Sequence, residues 1–192
     1  MRALSRIGEI LFYAIAALVV AALAHGVIVL VIPMVAEHDA YATLSGLAPV
    51  GATEALPRPA PDSRRFPYLD PGVAAAFCRY DLSNGPMRVR APLGRAGYVS
   101  ISFHSRRGAV FYALTDRAAA HGKLEAVIVT PAELRGLQAA DDEDNPSQDL
   151  RIVSPTADGF VLTRVFSELP SLYGEAEAEA RTLQCASEPT KE

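Results

Sequence analysis

The sequence predicts a mainly β protein of the α+β class. A single N-terminal transmembrane helix is followed by an antiparallel β-sandwich or jelly-roll-like domain, with a short helix near the domain's start and a longer one at its end. Three observations predict this. No side chain between Ile10 and Ala36 is charged. From Pro86 onward apolar residues recur with a period of two, the signature of strands with one buried face. Strong helix formers return only after Pro170, in GEAEAEARTLQCA.

The first element is the apolar run ILFYAIAALVVAALAHGVIVLVIPMVA. About 20 apolar residues suffice to cross a bilayer's hydrocarbon core as a helix, and this run is longer. Arg2 and Arg6 precede it, Glu37 and Asp39 follow it, and the next basic residue is Arg58. Basic residues stay on the cytoplasmic side, so residues 1–9 are expected inside, residues 10–36 in the bacterial inner membrane and the remainder in the periplasm. A cleaved signal peptide is the alternative, because Ala22-Leu23-Ala24 has a small-x-small pattern. The apolar run continues well past that point, which favours an uncleaved anchor.

Of 192 residues, 18 are Lys or Arg and 22 are Asp or Glu, for a net charge of −4 that argues against nucleic-acid binding. What remains after the anchor is the usual size of one domain. Residues 37–65 are rich in Pro, Ala and Gly, and Pro57, Pro59 and Pro61 alternate. This stretch is expected to be an extended tether, with the folded domain at 66–192.

Within the domain, Asp70-Pro71 reads as a helix start, with Asp as N-cap and Pro at the first helical position. The short helix would carry Val73, Ala76, Phe77 and Tyr80 on one side. Asn84-Gly85-Pro86 breaks the chain. Met87, Val89 and Ala91 then alternate with Arg88 and Arg90, and Val99, Ile101 and Phe103 alternate with Tyr98, Ser100, Ser102 and His104. Ser105-Arg106-Arg107-Gly108 is a turn, so 98–104 and 109–115 form a hairpin. Residues 124–130 form an apolar, central strand, 131–137 a helical turn and 139–149 an acidic loop. Residues 150–154 and 159–167 read as a second hairpin, and 170–186 as the C-terminal helix that ends at Cys185.

Cys78 and Cys185 are the two cysteines, with no CxxC spacing. The expected topology places both where disulfides persist, so a Cys78–Cys185 bridge is expected; two free buried thiols are the alternative.

Several segments together resemble a known family: HDAYATL at 38–44, FPYLDPGVAAAFCRYDLSNGPMRVRAP at 66–92, GYVSISFHSRRGAVFYALTDRAA at 97–119, and Thr130-Pro131. They resemble a bacterial envelope family defined only as a domain of unknown function, with a CRYDLS-GP-R element and an FYA-x-x-DR element. In larger relatives a second domain of unknown function follows on the same chain. The resemblance implies a short, membrane-anchored form of the first half, and hence a hetero-oligomer with a companion membrane-anchored protein. It implies no reaction.

The residues offer weak ligand-binding candidates and no catalytic set. Arg88 and Arg90, near Tyr80-Asp81, could hold a carboxylate or phosphate, because guanidinium is a planar fork. A polar strand face of Tyr98, Ser100, Ser102 and His104 could line a carbohydrate or lipid-headgroup groove. Ser102 and His104 lie two apart on a strand, which suits a shared, solvated surface better than a direct hydrogen bond, and no GxSxG elbow is present. Tyr112, Asp116 and Arg117 read as a loop tie. His25, His38, His104 and His121 have no metal-binding spacing, and the loop Asp141, Asp142, Glu143, Asp144 lacks the glycine and final glutamate of a calcium loop. No metal or cofactor is indicated. In the anchor, Ala14, Ala17, Ala21 and Ala24 share one helical face, a surface that would let another transmembrane helix approach closely. The reading is therefore a non-enzymatic inner-membrane subunit of an envelope complex; the alternative is a carbohydrate- or lipid-binding domain or hydrolase completed by the companion.

Overall fold

The computed structural model describes residues 2–35, 39–60, 62–66, 69–91, 97–119, 124–141, 147 and 149–188. The chain divides into two compact units, Met1–His38 and Asp39–Glu192. In the first, helix α1 runs from Arg2 to Val35. Its Arg6–Ile32 segment has a mean hydropathy of 2.8 and is long and apolar enough to cross a membrane. Leu18, Leu23 and Leu30 stand exposed around it, as do Ala14, Ala17, Ala21 and Ala24.

The second unit is a two-layer sandwich. A five-stranded sheet has the order β1 (Thr53–Ala55), β2 (Val73–Asp81), β8 (Asp158–Phe166), β4 (Val99–Ser105), β5 (Val110–Thr115). A four-stranded sheet has the order β7 (Arg151–Val153), β6 (Leu124–Val129), β3 (Met87–Ala91), β9 (Gln184–Ser187). All pairings are antiparallel except β6–β7. The core between the sheets is built from the alternating inward positions expected of pleated strands: Met87, Val89, Ala126 and Ile128 from one side, Cys78, Tyr80, Ile101, Phe103 and Val161 from the other. Helix α4 (Tyr173–Ala180) covers the rest of that inner face, setting Tyr173, Ala176 and Ala180 on Ala74, Ala76, Val99 and Val165.

The β4–β5 hairpin, the β3 and β6 strands and the helix at Pro131 stand where the periodicity puts them. Helix α3 (Pro131–Ala140) starts on a reciprocal cap: Thr130 Oγ1 accepts from the Glu133 amide at 3.2 Å, and the Glu133 carboxylate accepts from the Thr130 amide at 2.7 Å. Four other expectations are corrected. Residues 73–81 are not a helix but β2, buried on both faces between β1 and β8. An all-round apolar run suits a central strand, and Asp70 caps a turn instead, its Oδ1 accepting from the Gly72 amide at 2.8 Å. Residues 150–154 and 159–167 are not a hairpin, because β7 pairs with β6 in one sheet and β8 with β2 and β4 in the other. The C-terminal helix stops at Ala180 and β9 follows, because Leu183 is drawn into the core and Cys185 registers with Val89. Most of the acidic loop, including Asp142, Glu143 and Asp144, lies outside the described residues, as do His38 and His121.

The fourth correction concerns the expected tether. Residues 39–56 fold onto the outer face of the five-stranded sheet. Asp39 caps α2 (Ala40–Ser45), accepting from the Ala42 amide at 2.7 Å. Tyr41 and Leu44 of α2, with Ala48 and Leu56, pack on Ala75, Phe77 and Phe160, and β1 pairs with β2. The apolar outer positions of β2 and β8 need a cover, and this segment is it.

Candidate functional site

Ser102 and His104 occupy successive outward positions on β4. His104 is nearly buried, and its ring stacks on Phe160 with centroids 4.4 Å apart and planes 10° apart. His104 Nδ1 lies 3.0 Å from the Gly108 carbonyl. A carbonyl only accepts, so Nδ1 carries the proton and Nε2 of the neutral ring is the acceptor. Ser102 Oγ stands 2.9 Å from that Nε2 and donates to it. The two-residue spacing does not keep the side chains apart, which corrects the expectation of a solvated face without a direct bond: the imidazole leans along the strand and spans the gap. Arg164, across the ladder on β8, donates from Nη1 to Ser102 Oγ at 3.2 Å. The Leu162 carbonyl, 3.3 Å from the same oxygen, is a competing acceptor. Burial pulls the His104 pKa below its ordinary value; the Gly108 carbonyl opposes this and the Arg164 charge adds to it. Sequence reasoning missed Arg164, because only the β4–β8 register, Ser100 opposite Arg164, makes it a neighbour.

The chemistry available here is limited. A serine bonded to a neutral imidazole and to a guanidinium has two parts of a nucleophile and a charge that favours an alkoxide. The group orienting the imidazole is a backbone carbonyl, and Ser102 itself is only 6% exposed.

A second group was also hidden from the sequence. Two guanidiniums approach the Tyr41 ring, Arg79 at 4.7 Å and Arg106 at 4.1 Å from its centroid. Arg79 Nη2 also donates to Tyr41 Oη at 2.8 Å, and Arg106 pairs with Asp39 and Asp158 at 3.2 Å each. These contacts clamp α2 over the sheet next to His104.

Arg88 and Arg90 point outward from the other sheet, since the alternate positions Met87 and Val89 face the core. Arg88 Nη1 and Nη2 grip both oxygens of Asp149 at 2.9 Å; Nη1 also meets Glu125 at 3.0 Å, and Nε donates to Glu188. The Arg88 guanidinium holds the Asp149 carboxyl below the usual carboxylate range. Arg90 pairs with Glu125 at 3.1 Å and is half exposed. Tyr98 sits exposed at the start of β4. The structure therefore does not bring Arg88, Arg90, Tyr98 and His104 to one site: the two arginines and the histidine face away from each other on opposite sheets. Tyr80 and Asp81 do not join the arginines either. Tyr80 is buried and donates to the His104 carbonyl at 3.0 Å, while Asp81 accepts from the Ser83 amide at 2.9 Å. Asp116 and Arg117 open a short 3-10 turn after β5. Among the described residues no group of three metal-ligating side chains occurs.

Cys78 and Cys185 are joined as a disulfide, Cα to Cα 6.4 Å. It links β2 in one sheet to β9 in the other.

A disulfide-tied β-sandwich, following a helix of membrane-spanning length, defines the class of protein. The chain belongs to the DUF1254 family of proteins of unknown function, whose model matches residues 51–187. No curated protein matches it. The VPA0106 protein of Vibrio parahaemolyticus shares the fold at a TM-score of 0.53 and 9% identity, over 78% of this chain and 36% of its own. A putative uncharacterised protein from Burkholderia cenocepacia aligns at a TM-score of 0.36 and 15% identity, over 62% of this chain and 30% of its own. The chain thus spans about a third of the length of either protein.

Proposed function

We propose that the protein is a single-pass inner-membrane subunit of an envelope complex, with its N-terminus cytoplasmic and its sandwich domain periplasmic, and that a companion membrane-anchored protein completes it. The single observation that carries this reading is that the polar groups best suited to hold a ligand are already paired within the domain: Arg88 by three carboxylates, His104 by Ser102 and Gly108. Among the described residues of the domain, Val110, Tyr112, Phe166 and Leu169 are exposed apolar side chains that a protein partner could cover. Arg2 and Arg6, ahead of the uncharged run, and the disulfide support the topology. The resemblance supports the companion.

The test is gentle-detergent purification of the tagged full-length protein from its native membrane, followed by mass spectrometry. The expected outcome is a stoichiometric membrane-anchored companion. A protein that runs alone at native expression level sinks the reading.

A second reading is a hydrolase or a carbohydrate- or lipid-binding domain completed by the companion. The Ser102–His104–Arg164 arrangement favours it. A fluorophosphonate probe should then label Ser102 in the complex and leave the Ser102→Ala variant unlabelled; no labelling in the complex removes the nucleophile.

A further inference from the structure

We propose that Arg164, Ser100 and Thr115 form a binding site for a phosphate group on the outer face of the five-stranded sheet. This deepens the ligand-binding form of the second reading above and rests on it, naming the charged part of the ligand. It needs no nucleophile.

Arg164 differs from the paired arginines of the domain. Arg88, Arg90, Arg106, Arg151 and Arg181 each meet at least one carboxylate. Among the described residues Arg164 meets none, and its hydrogen-bond partner is the neutral Ser102 hydroxyl, 3.2 Å from Nη1. Ser102 is only 6% exposed, so the guanidinium reaches down to a nearly buried oxygen. Burial pulls the Arg164 pKa below its ordinary value, with no carboxylate to offset the cost. A guanidinium has five N–H donors, and Ser102 takes one of them.

The strand register adds two further donors. Ser100 lies opposite Arg164 on one side and opposite Thr115 on the other. The neighbouring Val99, Ile101 and Leu114 face the core, so Arg164, Ser100 and Thr115 form one row across three strands on the outer face. Opposed Cβ atoms in such a row stand about 4.5–5.5 Å apart. Neither the Ser100 nor the Thr115 hydroxyl bonds to another described residue. Segment 39–56 rests on Ala75, Phe77 and Phe160 and leaves the row open: Arg164 is exposed, and Ser100 and Thr115 are half-buried.

The donor set selects the ligand. A carboxylate presents two oxygens, which a guanidinium fork satisfies by itself. A fork beside two free hydroxyls also has donors for a third oxygen, and a phosphate group presents one. Such a group comes either as free phosphate or on a lipid headgroup. The next row of the sheet favours the lipid. There Phe166, whose amide donates to the Tyr98 carbonyl at 2.8 Å, is 45% exposed and Tyr98 is 49% exposed. These rings offer apolar contact to the glyceryl and acyl parts of a lipid.

The experiment uses the full-length protein in a neutral maltoside detergent and follows the phosphorus NMR linewidths of dihexanoyl phosphatidic acid and of inorganic phosphate. The expected result is broadening of the lipid phosphate, with binding about tenfold weaker in Arg164→Met, the worth of one charge-assisted bond. Ser100→Ala/Thr115→Ala should also weaken binding, whereas Arg107→Met, which removes an exposed arginine from the β4–β5 turn, should not. Inorganic phosphate binding as tightly as the lipid keeps the site and makes free phosphate its source. Displacement of either probe by an equal concentration of acetate overturns phosphate as the group. Lipid binding that Arg164→Met leaves unchanged overturns this site but keeps the ligand-binding reading. No binding of either probe overturns the proposal and leaves that reading only its carbohydrate form. If Arg164→Met does not fold, Arg164→Lys, which keeps the charge and loses the fork, decides together with the hydroxyl variant: unchanged binding in both overturns the site.

Discussion

Cys185 lies on the edge strand β9 and Cys78 in the middle of β2, and their disulfide crosses from one sheet of the sandwich to the other over a sequence separation of 107. It closes the stretch from the middle of β2 to β9 into one loop. Loss of so long a loop closure costs about 4.7 kcal/mol in the chain-entropy model. Denaturant titration of the Cys78→Ala/Cys185→Ala variant should show a loss of about 2–5 kcal/mol, and reductant should lower the wild type to the same level. Equal stability with and without reductant would show that the bridge does not form.

Gly159 is tightly constrained by close approach. A Cβ there would run into the His104 carbonyl and the Tyr80 hydroxyl, which themselves bond to each other at 3.0 Å. Tyr80 Oη also bonds Ser154 Oγ at 2.9 Å in the core, so it has nowhere to move. Gly159→Ala should destabilise the domain by about 3 kcal/mol or more, as overpacking does at its worst. A thermal midpoint within a degree of wild type would contradict the contact.

The neutral His104 gives stability a pH dependence with a definite sign. Its folded pKa is depressed, so the unfolded chain takes up a proton first as pH falls below about 6.5. The stability it supports is full above that value and is lost as pH falls toward and through the folded value. Calorimetry from pH 7.5 to 5 should show a falling midpoint, and His104→Gln should flatten the slope. An unchanged slope in the variant would assign the effect to other groups.

Arg88 and Arg90 share a strand face but should differ sharply on substitution. Arg88 is 17% exposed and serves three carboxylates; Arg90 is 52% exposed and serves one. Arg88→Met should cost about 2 kcal/mol, because it strands partly buried carboxylates, and the loss should shrink in high salt. Arg90→Met should cost about 0.5 kcal/mol or less, the ordinary worth of an exposed pair. Equal effects in urea titrations would deny the network around Arg88.

How much was legible in the sequence depends on whether the signal is local. The membrane-length helix needs only composition. The inward faces of β3, β4 and β6 need only alternation, and α3 only its Thr-Pro-x-Glu start. With both cysteines expected outside the membrane, their pairing followed from there being only two. What lay beyond reach was each choice made between distant segments. Val73–Asp81 carries alanines that favour a helix in isolation, and β1 and β8 on either side make it a strand instead. Residues 39–56 look like a tether until Ala75, Phe77 and Phe160 need a cover. The alternation in 151–153 and 158–166 says which side is apolar but not which sheet each joins, because pleating fixes the face of a strand and leaves its partner to the packing of the whole. The same limit applies to the Ser102–His104–Arg164 cluster: the serine and histidine are visible two residues apart, but the arginine that completes them is supplied by the register of a strand some sixty residues away.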